Sequence, residues 1–304
     1  MYIGRFAPSP SGPLHFGSLV CALASYLDAK HHNGQWLVRI EDIDPPREQA
    51  GASEHILTTL KTHGLHWDQP IVYQSHRSEL YLDTLNKLTQ AGLIYRCNCT
   101  RQRLKHLLFN YDQHCLHSSP PPTVQAALRL NTVKTLALTA NSAIQTGAQR
   151  EFTDLVQGDV QEDFSVSGDF VVHRKDGYFA YQTAVSVDDI NQGITHVIRG
   201  NDLLNTTPQQ ILLHNLLDAT PPQYGHIPVI IGDNNIKLSK QNHAPAIDNH
   251  VPQKNLIQAM KALNMHPPTH NTTTTRLLTW AIEHWSLTSL KSQQTIAYRD
   301  LLSY

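Results

Sequence analysis

The sequence predicts an α/β fold in which crossover helices connect a parallel sheet, with a small insertion in the middle and a short helical tail. Three observations carry this expectation. The chain opens in strand–loop–helix–strand–helix order, the order of parallel strands joined by helices. Three of its four cysteines, Cys97, Cys99 and Cys115, fall in one short stretch closed by Pro120-Pro121-Pro122. Past the Lys237–Lys240 region, the apolar residues recur at helical spacing and no further strand is apparent.

Tyr2 to Phe6 reads as the first strand. Ala7-Pro8-Ser9-Pro10-Ser11-Gly12-Pro13 follows, and its prolines and glycine bar a helix. Leu19, Leu23, Tyr26 and Leu27 then mark a helix over about 14–30, with Gly34 beyond its end. Trp36 to Ile40 is a second strand running into Glu41-Asp42-Ile43-Asp44, and helices are expected near 53–62 and 77–91. Farther on, Asp176-Gly177 signals a hairpin between 170–173 and 178–183. Thr206-Thr207-Pro208 starts a helix by capping, 226–231 reads as one buried strand, and helices are expected over 255–263 and 275–285. The domain reading is 1–93 and 123–248 as two halves of a nucleotide-binding catalytic domain, 94–122 as a metal-binding insertion, and 249–304 as the helical tail.

Composition bounds the function. The 304 residues are 40% hydrophobic and 16% charged, an ordinary globular balance that excludes a disordered or fibrous chain. The formal net charge is −1, so a nucleic-acid partner needs a local basic face rather than a basic protein. Most of the 19 histidines read as solvated surface. No run approaches the roughly 18 apolar residues of a membrane helix, and the N-terminus lacks a signal-peptide pattern. A cytoplasmic, monomeric protein without membrane contact is the expectation, with the cysteines as thiols or metal ligands.

Two short motifs carry the chemistry. In Leu14-His15-Phe16-Gly17-Ser18 a rigid loop enters a helix N-terminus, where free backbone N–H groups and the helix dipole attract phosphate. Gly17 lets a nucleotide approach the backbone, and His15 can donate to a phosphate oxygen. In Lys237-Leu238-Ser239-Lys240-Gln241 two lysines on a loop can hold the charge developing in phosphoryl transfer. Each alone is commonplace; a capped surface turn and a solvated lysine run are its bland readings. Cys97-x-Cys99 with Cys115 has plausible tetrahedral zinc spacing but lacks a fourth ligand, for which Tyr111, His114, His117 and His106 are candidates. Ligand chemistry alone favours a histidine.

Together and in this order, the two motifs resemble the paired signatures of class I aminoacyl-tRNA synthetases, which implies a Rossmann-like parallel sheet. The flanking words narrow the resemblance. Arg5-Phe6-Ala7-Pro8-Ser9-Pro10-Ser11-Gly12 is similar to the glutamyl-tRNA synthetase opening, Arg39-Ile40-Glu41-Asp42-Ile43-Asp44 to its acidic turn, and Arg199-Gly200-Asn201-Asp202 to a later turn. The resemblance spans about 5–241. Leu238, Gln241 and Ser18 depart from the usual Met, Ser and His of class I enzymes.

The resemblance implies roles. His15 and Lys240 would be catalytic, and His15, Gly17, Ser18, Lys237, Ser239 and Lys240 would bind ATP with its Mg2+. Arg5, Arg199 and Tyr181 would take the side-chain carboxylate of glutamate, and Glu41 with Ser9 its ammonium. Glutamyl-tRNA synthetases normally continue past the lysine loop into a large anticodon-reading domain, which the short stretch after Lys240 cannot supply. The Asp44-Pro45-Pro46-Arg47-Glu48 continuation and the Cys-x-Cys insertion instead resemble the short glutamyl-Q tRNA(Asp) synthetase family. In that family Tyr-Asp-Gln-His-Cys includes a ligating tyrosine, which implies a structural Zn2+ on Cys97, Cys99, Tyr111 and Cys115. It also implies tRNA-independent activation of glutamate and its transfer to the queuosine of tRNA(Asp). A truncated synthetase charging the tRNA acceptor end, and a non-catalytic tRNA-binding module, are the alternatives.

Overall fold

A computed structural model describes residues 1–107, 111–139, 149–164, 168–232, 236–238, 244–268 and 272–301. Its strands are β1 (Ile3–Phe6), β2 (Gln35–Ile40), β3 (Val72–Tyr73), β4 (Ile94–Cys97), β5 (Ala127–Leu130), β6 (Gln149–Asp154), β7 (Gly158–Asp163), β8 (Val171–His173), β9 (His196–Gly200), β10 (Gln223–Ile227), β11 (Val229–Ile231) and β12 (Thr295–Ala297). The α-helices are α1 (Phe16–His31), α2 (Ala52–Thr62), α3 (Ser78–Gln90), α4 (Arg101–His106), α5 (His114–His117), α6 (Thr132–Thr139), α7 (Tyr181–Asn191), α8 (Thr207–Leu216), α9 (Pro252–Ala262) and α10 (Thr274–Glu283).

The central sheet has the order β10-β9-β1-β2-β3, and every pairing in it is parallel. From β1 the chain steps outward through β2 to β3, then returns to lay β9 and β10 on the opposite side. The boundary between β1 and β9 is therefore a topological switch point. In open α/β sheets the crevice beyond the carboxyl ends of the strands at such a point is where ligands bind. The first strand's loop, the acidic turn after β2 and the turn after β9 all open there.

Helix α1 packs this edge onto the rest of the chain. It is buried nearly all round, with Leu19, Leu23 and Leu27 fully covered, because it packs on β1 and β9 on one side and on α9 and α10 on the other. Leu256, Met260, Leu277 and Ala281 of the tail helices join the same core, so the tail is packed onto the catalytic half. The cysteine segment sits on a separate antiparallel sheet, β4-β5-β8, whose strands β5 and β8 come from beyond residue 122.

The structure corrects three local expectations. The hairpin at Asp176-Gly177 has one bridging residue in its second arm, Phe179 opposite His173, and the chain is helical from Tyr181. Thr183, Val185 and Val187 suit a strand, but their helix buries Ala184 and Val187 with Tyr81 of α3, and tertiary packing overrides the β-branched preference. The run 226–231 is two strands split at Pro228, which has no N–H for a ladder; β11 pairs with β12 instead of continuing beside β9. The tail, read as helical, also holds the strand β12, which pairs in parallel with β11. The histidines follow the reading, most of the described ones being exposed, while His15, His63, His214 and His226 are buried, each with a hydrogen-bond partner.

Candidate active site and metal centre

The loop after β1 is docked on the acidic turn. Pro8 O accepts from Glu41 N at 3.0 Å and Pro10 O from Gln49 N at 3.0 Å. Gly12 takes φ +133°, and a Cβ there would meet Gln49 Oε1 at 3.2 Å. His15 caps α1: its Nδ1 accepts from Ser18 N at 3.3 Å, and its Nε2 lies 2.9 Å from Ser18 Oγ. A Cβ on Gly17 would come within 3.3 Å of the His15 ring. His15 also bridges to Ala246, just past the lysine loop. Lys237 is paired with Asp202 at 2.5 Å. Ser239 and Lys240 lie outside the described residues, and so does Gln241.

The strand edges hold a buried charge cluster. Arg5, at the end of β1, bonds Asp189 of α7 through Nε at 3.3 Å and Nη2 at 3.2 Å. Arg39 of β2 bonds the same carboxylate at 2.7 Å, and its Nε lies 3.6 Å from Asp188. Asp188 is also held by Gln74 at 2.7 Å, Arg77 at 2.6 Å and Tyr81 at 2.8 Å. Burial would raise the Asp189 carboxyl, but the Arg5 and Arg39 guanidiniums bring it down to about 2.

Glu41, the first residue past β2, is the odd member of this cluster. It is 8% exposed, its Oε1 makes no hydrogen bond, and its ion partner Arg39 stands off at 3.7 Å. Burial pushes its carboxyl up to about 7, against the pull of Arg39 and Arg5. A buried carboxylate oxygen without a donor is suited to an incoming cation.

Arg199, at the end of β9, is the complementary case. It is 5% exposed, and among the described residues no carboxylate lies within ion-pair distance of it. Its partners are neutral: His226 Nε2 at 3.0 Å, Thr207 Oγ1 at 2.8 Å, Leu203 O at 3.5 Å and the Tyr181 hydroxyl at 3.4 Å. Burial raises the Tyr181 hydroxyl, with Arg199 pulling it back. Ser9 is exposed at the mouth of the same loop.

In the insertion, Cys97 from β4, Cys99 and Cys115 from α5 bring their sulfurs within 4.8 Å of one another. The Tyr111 hydroxyl joins them, 3.4 Å from Cys97 Sγ and 3.7 Å from Cys99 Sγ, and Cys99 and Cys115 are 3.5 Å apart. A tetrahedral zinc with bonds of about 2.3 Å to sulfur and about 2.0 Å to oxygen needs edges of about 3.8 and 3.5 Å, so four donors fit the ion. His106, His114 and His117 are exposed. Burial would raise the Cys97 thiol, but the Tyr111 hydroxyl, the Cys99 amide and Arg129, whose Nε is 3.3 Å away, bring it below the usual range and favour the thiolate that metals require. Arg129 also stacks on the Tyr111 ring, its Cζ 4.0 Å from the centroid.

Sequence reasoning missed Asp188, Asp189, Asp154 and His226. The adjacent acids inside the apolar run 185–190 were a usable signal, since two carboxylates on a buried helix need cations.

Residues 3–265 match the family model of the catalytic domain of class I tRNA synthetases for glutamate and glutamine. A glutamyl-Q tRNA(Asp) synthetase of Serratia proteamaculans is 47% identical over 299 residues, 97% of this chain and 94% of its own. One of Vibrio cholerae is 44% identical, with 95% of this chain and 92% of its own covered. A solved glutamate tRNA ligase of Elizabethkingia meningosepticum, in complex with its amino acid, superposes with a TM-score of 0.77 at 22% identity over 98% of this chain and 67% of its own. The α/β sheet is thus the class I synthetase fold, and the chain belongs to the glutamyl-Q tRNA(Asp) synthetase family of ligases.

Proposed function

We propose that this ligase activates glutamate with ATP in the absence of tRNA and transfers the glutamyl group to the queuosine of tRNA(Asp). The observation that carries the amino-acid part is the pairing of a buried guanidinium that has only neutral partners, Arg199, with a buried carboxylate oxygen that has no donor, Glu41 Oε1, on one sheet edge. Glutamate offers the complement: a side-chain carboxylate for Arg199, with Tyr181 beside it, and an ammonium for Glu41, with Ser9 at the mouth. Arg5 has two nitrogens on Asp189, so its contribution to the side-chain carboxylate is through the remaining Nη1.

The α-carboxylate then attacks the α-phosphorus of ATP and pyrophosphate leaves, giving glutamyl-adenylate. ATP would lie on the His15–Gly17–Ser18 turn, with Lys237, Ser239 and Lys240 over its phosphates and Mg2+ as its counter-ion. These groups act by position and charge, since phosphoryl transfer asks little covalent chemistry of the protein. A queuosine hydroxyl next attacks the mixed-anhydride carbonyl and AMP leaves. Zn2+ on Cys97, Cys99, Tyr111 and Cys115 is structural in this reading. The protein works as a monomer in the cytoplasm.

Glutamate-dependent ATP–pyrophosphate exchange without tRNA tests the activation step. Exchange that requires tRNA would overturn tRNA-independence. A product that still forms on tRNA(Asp) lacking queuosine, or that is lost when the 3′-terminal adenosine is removed enzymatically, would overturn transfer to queuosine and favour acceptor-end charging.

A further inference from the structure

Behind Arg199 stands a buried pair that the reaction scheme does not use. Asp154, at the end of β6, has its Oδ2 2.6 Å from His226 Nδ1, and its Oδ1 accepts from His226 N at 3.1 Å. Both side chains are fully buried. Asp154 Oδ1 also accepts from Val156 N and Gln157 N, both at 2.9 Å, which anchors the carboxylate to the turn between β6 and β7. The carboxylate accepts at His226 Nδ1, so Nδ1 carries the proton and Nε2 presents a lone pair. That lone pair meets Arg199 Nε at 3.0 Å and Thr207 Oγ1 at 3.1 Å. The opposite tautomer would set an N–H against the Arg199 N–H, since guanidinium has donors only.

We propose that Asp154 and His226 are positioning residues that aim the Arg199 guanidinium at the glutamate side-chain carboxylate, and so help the site choose glutamate over glutamine. With Nε fixed by His226 and Nη2 by Thr207, the least engaged nitrogen is Nη1, whose bond to the Tyr181 hydroxyl is a long 3.4 Å. A donor-only group held still in a buried site favours a carboxylate, which accepts at both oxygens, over a carboxamide, whose NH2 opposes it. Burial, reinforced by the Arg199 charge, holds His226 below its ordinary value despite the Asp154 hydrogen bond, so the ring stays neutral at working pH. The inference rests on the reading of Arg199 as the carboxylate receptor.

The test compares His226→Gln with His226→Leu in glutamate-dependent ATP–pyrophosphate exchange. Glutamine at this position can return an acceptor oxygen where Nε2 stood, and leucine cannot; both leave Asp154 without its ring partner, and urea denaturation of each variant separates a loss of folding from a loss of aim. The expectation is a KM for glutamate raised about tenfold or more in His226→Leu and within about threefold of the parent in His226→Gln, with the KM for ATP unchanged in both. The preference for glutamate over glutamine should narrow in the leucine variant alone. Equal KM values for glutamate in the two variants, or a parallel rise in the KM for ATP, would overturn the proposal. Arg199→Lys separates the levels. If it raises the KM for glutamate while the histidine variants match, the relay is wrong and the receptor stands; if it leaves that KM unchanged, both fall.

Discussion

Glu41→Gln should weaken glutamate binding and strengthen the fold, because the same burial causes both effects. The Glu41 carboxyl lies at about 7 in the folded protein against an ordinary 4.5. A carboxyl raised by folding costs nothing below its unfolded value, where both states are protonated. The cost grows as pH rises from 4.5 and is complete above about 7. A shift of that size corresponds to about 3 kcal/mol. Glu41→Gln removes that cost, so chemical denaturation at pH 8 should show a variant more stable by up to about 3 kcal/mol, and at pH 4 no difference. Activity runs the other way. The glutamate ammonium needs the ionised carboxylate, so kcat/KM for glutamate in the exchange assay should fall about tenfold per pH unit below about 7 in the parent protein. In the variant it should be low and flat, with the KM for ATP unaffected. A parent profile that stays level from pH 8 to about 5.5, or a Glu41→Gln variant with unchanged KM for glutamate, would refute the assignment of the ammonium to Glu41.

Other perturbations test the surrounding structure. Asp189→Asn leaves Arg5 and Arg39 under-compensated in the core and should cost about 3–5 kcal/mol at pH 7 by urea denaturation. About 2 kcal/mol of this follows from the depressed carboxyl; that part is present above about pH 4 and disappears as pH falls towards 2, so the variant's deficit should shrink over that window, and a loss under about 1 kcal/mol at pH 7 would count against the ion cluster. Gly17→Ala should leave stability within about 1 kcal/mol while lowering exchange several-fold, because its Cβ would press the His15 ring by a few tenths of an ångström; an unchanged rate would mean that the ring position does not matter. The purified protein should carry one zinc per chain, and Cys115→Ser or a strong chelator should lower the melting temperature of the insertion; metal analysis finding no zinc would refute the four-donor centre.

The opening of the central sheet, β1 and β2, was legible because its signals are local, whereas β3 and β9 were not read as strands. A strand ending in Pro-Ser-Pro-Ser-Gly-Pro has one way to continue, and the apolar spacing of α1 survives even though that helix is buried on nearly every side. Helix α7 was not legible as a helix. Its Thr, Val and Ser residues suit a strand, and its helical state depends on covering Tyr81 and on placing Asp188 and Asp189 among three arginines brought from β1, β2 and the segment before α3. No window of sequence contains that information. The relay behind Arg199 has the same origin, since Asp154 and His226 meet only because β10 lies beside the β6–β7 hairpin.

Charge balance shows why these distant residues belong to the site. Arg5, Arg39 and Arg77 are opposed by Glu41, Asp188 and Asp189, three against three, so the buried edge beside β1 and β2 is neutral when Glu41 is ionised. Arg199 stands outside that sum as a buried cation with neutral partners. Behind those partners stands the buried Asp154 carboxylate, 2.6 Å from His226 Nδ1, so the Arg199 charge is already balanced at one remove. The discrimination between glutamate and glutamine therefore follows from the hydrogen bonds of Arg199 rather than from the total charge of the edge: a carboxylate accepts at both oxygens, whereas a carboxamide sets its NH2 against a donor-only group. A second buried acid beside Arg199, made by Thr207→Glu, should accordingly exclude glutamate and raise its KM by at least about tenfold, whereas Thr207→Ser should leave it near the parent value.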